Sequence, residues 1–250
     1  MKCTCCALEE RVTDLEKEVD ELQKEVAELQ GDKTPPEPPE PEPPEPSEPD
    51  EVLLKIGGVP VYINRSDGEH VWWTGELTID ADGHPKCYGP SGTQPLDYLG
   101  NAGSSGNWWG IACDPNECDG DPIIQGGRDP CPGYYVSTTA YFVPGYYYSD
   151  PRCYLHSGEV PFMVIPGNVR KATVGKCKGC RGKVTDNKTG KTIDCVVGDI
   201  GPSDHMGEAS MAVADFFGID SNAKNGGSSD ETRFRYECWP GVAMEGFVLQ

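Results

Sequence analysis

The sequence has no run of about eighteen apolar residues, the length a membrane-spanning helix needs, so no membrane span is expected. Its opening residues, Met1-Lys-Cys-Thr-Cys-Cys6, lead into charged sequence without the apolar stretch of a secretory signal. There is no Gly-x-x-x-x-Gly-Lys-Ser/Thr loop, no Gly-x-Gly-x-x-Gly, no His-Glu-x-x-His and no Gly-x-Ser-x-Gly elbow. Nucleotide binding, zinc-protease chemistry and serine-hydrolase chemistry therefore have no basis in the sequence. Histidine is scarce, and of His70, His84, His156 and His205 only the last lies between candidate acids, where an exposed loop position is expected. Cations are also few: 21 Lys and Arg stand against 41 Asp and Glu, a net charge of −20. Residues 51–250 hold sixteen of those cations and twenty-five of the acids, so that part carries −9. Such a surface repels nucleic acid and anionic membranes and draws cationic ligands toward it.

What is present falls into three parts. Leu8, Val12, Leu15, Val19, Leu22, Val26 and Leu29 recur at alternating steps of four and three, with Val at every a and Leu at every d place of a heptad. Residues 1–31 are therefore expected to form a coiled coil that joins two or three copies through residues 8–29. Cys3, Cys5 and Cys6 sit at the end of this seam, suited to interchain bridges or to metal. Residues 32–51 are a Pro/Glu-rich linker with nothing apolar to bury, expected to extend as a stalk of roughly 50 Å.

Residues 52–250 form the third part. Short β-prone runs, 59–64, 71–79, 133–143, 160–165 and 194–200, alternate with turn clusters, and one helix is expected over Glu208–Phe217 with Gly218 as its stop. The reading is a mainly β domain, a barrel with few helices. Nine of the twelve cysteines lie here, a density that suits an oxidising environment and disulfide bonds. Cys177-Lys-Gly-Cys180 also has the spacing of half a zinc site, for which Cys113 and Cys118 offer a loosely spaced second half.

The segment from Cys195 to Ser210 carries the chemistry. An apolar strand ends at Asp199, and a turn-rich loop delivers Glu208 nine residues later. Glycosidic cleavage needs one carboxyl group protonated for the leaving oxygen and another ionised to activate water. The same two residues also suit a turn cap and a helix-start carboxylate. Trp72, Trp73, Trp108, Trp109 and Tyr146 to Tyr148 offer flat faces for sugar rings, and Asp80, Asp82 and Asp97 offer charges for ammonium groups.

Seven stretches, Ile79-Asp-Ala-Asp-Gly83, Leu96-Asp-Tyr-Leu-Gly-Asn-Ala-Gly103, Trp108-Trp-Gly-Ile111, Pro132-Gly-Tyr-Tyr-Val-Ser-Thr-Thr139, Glu159-Val-Pro-Phe-Met-Val-Ile-Pro-Gly167, Val197-Gly-Asp-Ile-Gly-Pro202 and Gly207-Glu-Ala-Ser210, occur in one order over about 170 residues. Together they resemble the chitosanases of glycoside hydrolase family 75. The resemblance implies an endo-acting, inverting hydrolase of the β-1,4 linkages of chitosan, needing no cofactor or metal, with Asp199 and Glu208 as its catalytic pair. It implies Asp80, Asp82, Asp97, Trp109, Thr139 and Tyr141 as contacts to a cationic polysaccharide. Related polymers, chitin and peptidoglycan, are the alternative substrates, and a silent glycan-binding or spike module is the alternative role. The strand, loop and helix around Asp199 are also similar to double-psi β-barrel enzymes. Family members are secreted, whereas coil, stalk and head together suggest display on a cell or particle surface, a virion being one such setting.

Overall fold

The computed structural model describes residues 14–25, 50–66, 68–115 and 118–250 of the 250-residue chain. The chain divides into two units, residues 1–46 and 47–250. In the first, residues 14–25 are helical (α1). Leu15, Val19 and Leu22 of the predicted seam are exposed on it. The seam residues Leu8, Val12, Val26 and Leu29, the cysteines at 3, 5 and 6, and the linker up to residue 49 lie outside the described residues.

The second unit is mainly β. Strands β1 (Glu51–Ile56), β2 (Val59–Asn64), β3 (His70–Gly75) and β4 (Thr78–Asp80) come first. Two small ladders follow, β5 (Gly103–Ser104) with β6 (Asn107–Trp108) and β7 (Cys113–Asp114) with β8 (Asp121–Pro122). The remaining elements are β9 (Phe162–Pro166), helix α2 (Gly167–Ala172), β10 (Cys180–Asp186), β11 (Thr192–Gly201), β12 (Glu208–Ser210), helix α3 (Met211–Phe217) and β13 (Phe234–Ala243). Nine of the strands make one sheet in the order β1-β2-β3-β13-β10-β11-β9-β12-β4.

The residue pattern accounts for these places. In β2, β3 and β10 every second side chain is buried, Val61 and Ile63, Val71 and Trp73, and Val184 among them, as a strand with one solvated face requires. Phe162 to Pro166 of β9 is buried at every residue, and this continuous apolar run pairs parallel with β11. Trp73, Tyr236, Phe234, Met163 and Ile165 fill the main core.

The sheet cannot lie flat. Only Glu76 and Leu77 separate β3 from β4, so the facing ends of these strands are at most about 11 Å apart along the chain. Six strand spacings lie between them in the sheet order, about 29 Å if flat. The sheet therefore curls until the end of β3 meets the start of β12: a Cβ on Gly75 would lie 3.0 Å from Gly207 Cα.

Several expectations need correction. Residues 71–79 split into β3 and β4, because the Tyr236 hydroxyl and Gly207 engage the intervening turn. Residues 133–143 form no strand; they hold only single bridges, Ile111 to Ser137 and Ile124 to Tyr135. Glu208 does not start a helix but opens β12, drawn into the sheet by parallel pairing with β4, and α3 begins three residues later. Asp50 and Glu51 belong to the head rather than the linker: Glu51 starts β1, and the Asp50 carboxylate accepts from Trp72 Nε1 and Asn64 Nδ2, both at 2.9 Å. No described helix is long and apolar enough to cross a membrane.

Candidate active site

β11 runs buried through Val196 and Val197, then shifts register against β9: Val197 faces Met163, whereas Asp199 faces Val164. Gly198 is the extra residue. A bulge of this kind re-aims the next side chain, and here it turns Asp199 into a cleft of about 470 Å³. One carboxylate oxygen of Asp199, Oδ1, accepts the backbone N–H of Ala140 at 3.0 Å and that of Ile200 at 2.6 Å.

Glu208 enters the same cleft from β12, the next strand but one. Gly207 before it has φ +94°, and any side chain there would collide with the backbone of Glu76. Gly201 at the end of β11 leaves room for the Glu208 carboxyl, since a Cβ on Gly201 would lie 3.1 Å from Glu208 Oε2. None of the side-chain and backbone donors among the described residues is within hydrogen-bond reach of that carboxyl.

Three more acids line the cleft. Asp80 ends β4, 7 % exposed, and takes the Asp82 N–H at 2.7 Å. Asp82 is held by the Ser137 hydroxyl at 3.4 Å and the Cys87 thiol at 3.6 Å. Asp97 is held in place: Asn101 Nδ2 reaches both its oxygens at 3.0 Å, the Tyr98 N–H adds a bond of 2.7 Å, and the Tyr88 hydroxyl stands at 3.5 Å from Oδ2. These bonds anchor the loop at the cleft. Carboxylate oxygens of Asp80, Asp82 and Asp199 lie within 4.8 Å of one another, and no other three His, Cys, Asp or Glu side chains among the described residues approach so closely.

Carboxylates this near cannot all ionise freely. Burial, then the Asp80 charge, pushes Asp199 well above the usual carboxylate range, against two backbone N–H donors and the Lys178 ammonium, which favour its ionised form. Burial, then Asp80, Asp199 and Asp97, pushes Glu208 up as well, with no hydrogen bond opposing. Two backbone N–H donors and a cation thus favour the anion of Asp199, whereas no hydrogen bond favours that of Glu208.

Of the predicted sugar contacts, Trp109 lies at the cleft and is 61 % exposed, its Nε1 tied to the Asn101 carbonyl at 2.8 Å. Thr139 and Tyr141 are buried and outside the cleft lining. Thr139 Oγ1 donates to the Tyr141 carbonyl at 2.9 Å, fixing the loop that brings Ala140 to Asp199. Trp73 and Trp108 are core residues, and Trp72 is stacked between Tyr62 and Arg235. Sequence reasoning passed over Tyr88, Asn101 and Ser137, which hold the acids; nothing in their spacing announces that task. His205, expected on an exposed loop, lines the cleft.

The nine cysteines from Cys87 onward carry free thiols, so the expected disulfide bonds are not formed in this structure. Cys177, Cys180, Cys195 and Cys238 pack into the core as small apolar side chains. Burial pushes the Cys177 thiol up to about 11, which keeps it protonated and weakly nucleophilic at neutral pH. No protein-family model and no curated protein sequence matches the chain.

Proposed function

We propose that the head is an inverting glycoside hydrolase acting within a chitosan-like, cationic amino-sugar chain, with Glu208 as general acid and Asp199 as general base. The observation that carries this reading is the contrast between the two carboxyls in one cleft: Asp199 is supported as an anion by N–H donors, and Glu208 is left without any. Glu208 gives its proton to the glycosidic oxygen as the bond from that oxygen to the anomeric carbon breaks. Asp199 takes a proton from a water that attacks the anomeric carbon from the opposite face, so the configuration inverts. Such a pair needs carboxyls about 6.5 to 9.5 Å apart, and Glu208 stands outside the close group formed by Asp80, Asp82 and Asp199. Asp80 and Asp82 meet the substrate ammonium groups, and Trp109 at the rim stacks on a sugar ring. The chemistry needs no cofactor.

The finer reading of the fold is a closed barrel of double-psi type, supported by the curl that brings β3 and β4 together. The heptad of residues 8–29 joins two or three such heads, displayed outside a cell or on a particle surface. Reducing ends released from chitosan, chitin and peptidoglycan test the activity, with Asp199→Asn and Glu208→Gln as controls. Chitosan is expected to be cleaved fastest, and each variant to lose nearly all turnover while staying folded, as thermal melting reports. Faster release from chitin or peptidoglycan reassigns the substrate, and undiminished turnover in either variant removes the catalytic pair.

A further inference from the structure

Cys177-Lys-Gly-Cys180 has no part in the reaction above, and its thiols are buried. Its second residue is the informative one. The four residues form a turn closed by Cys180 N to Cys177 O at 3.0 Å, with Gly179 at φ +80°. Gly179 N–H bonds the Val197 carbonyl at 2.9 Å, two residues before Asp199, and its own carbonyl takes the Met244 N–H at 3.0 Å. The Gln250 N–H adds a bond to the Lys178 carbonyl at 3.0 Å. Held on these sides, the turn aims Lys178 at residue 140. Its Nζ donates to the Ala140 carbonyl at 3.0 Å, and the Ala140 N–H donates to Asp199 Oδ1 at the same distance.

Charge points the same way. The groups that face Asp199 are Asp80 on β4, Asp82 in the loop after it, Glu208 on β12 and Lys178 in this turn, three carboxyl groups and one cation. Burial and then the Arg170 charge on α2 work against the Lys178 cation, and the Asp199 charge favours it. We propose that Lys178 is a positioning residue: its ammonium locks the Ala140 backbone and sets the Asp199 carboxylate as the proton acceptor. This rests on the reading of Asp199 as base, and it gives the Cys-Lys-Gly-Cys motif a task in which the lysine acts and the cysteines anchor.

The test uses the full chain and a soluble glucosamine oligomer, following kcat and kcat/KM against pH. Lys178→Met removes bond and charge, Lys178→Gln keeps a donor for Ala140 but no charge, and Lys178→Arg keeps the charge. Removing the cation raises the pH at which Asp199 ionises. The acidic limb of kcat/KM is therefore expected to move up by about one unit in the Met and Gln variants, about a tenfold loss below the limb. The Arg variant is expected to restore the limb. If Lys178→Met fails to fold, as thermal melting reports, Lys178→Gln carries the comparison. An unmoved limb and unchanged kcat in these variants, beside an inactive Asp199→Asn, overturns the role of Lys178 alone. An active Asp199→Asn overturns the reaction and this role with it.

Discussion

Asp80 sits at the centre of the acidic cleft, its carboxyl pushed up to about 6 by burial and then by the Asp97 charge, against the Asp82 N–H. An acid whose folded pKa lies above its ordinary 3.8 favours the fold while protonated and loses that contribution as pH rises through 6. Asp80→Asn keeps the acceptor for Asp82 and removes the charge. It is expected to raise the melting temperature at pH 7, by up to about 3 kcal/mol of stability, and to bring no gain below pH 4; melts at the two pH values check this. Glu237 has the opposite sign. Burial alone would raise it, but hydrogen bonds from His70 and Lys183 and the charge of Arg235 hold it at about 2. Its contribution is present above its ordinary 4.5 and fades as pH falls toward 2. The cleft and the outer face of the sheet thus pull stability in opposite directions with pH.

At the scale of elements, the bulge in β11 links sequence to chemistry. A Cβ at Gly198 would lie 2.7 Å from Leu155 Cδ1 and 2.8 Å from Phe162 Cβ. Gly198→Ala is expected to destabilise the head by about 1–3 kcal/mol through overpacking and to lower turnover further by mis-aiming Asp199. Denaturant midpoints and initial rates on one preparation check both; unchanged rates would remove the bulge from the mechanism. Apolar runs made β2, β9 and β11 legible in the sequence, along with the two acids at the end of β11 and the start of β12. β10 and β13 were not legible, because Arg181, Lys183, Arg235 and Glu237 point outward into a polar face and cut those strands' apolar content to alternate residues. The run 133–143 misled in the reverse sense: its aromatic and β-branched residues pack as a loop, where the side chains of Gln125 and Thr139 bond the carbonyls of Tyr135 and Tyr141.

At the scale of the molecule, the core clusters among the described residues draw on residues 53 onward. A chain shortened to begin at Ser47 is expected to retain turnover and the parent's melting temperature, while light scattering reports monomers in place of dimers or trimers. An insoluble or unfolded short chain would overturn this division. The order of the sheet also decides when the head can fold. β13, the last strand, lies between β3 and β10, so the hydrogen-bonded ladder from the first three strands to β10 runs through residues 234–243. Pairings between such distant segments form slowly. During synthesis the head must therefore wait until residues 234–243 have emerged, with β3 and β10 each presenting an unpaired edge in the meantime. A message broken before the codon for Phe234 yields a product with two sticky edges and no closing strand, a substrate for chaperones and proteases rather than a weaker enzyme.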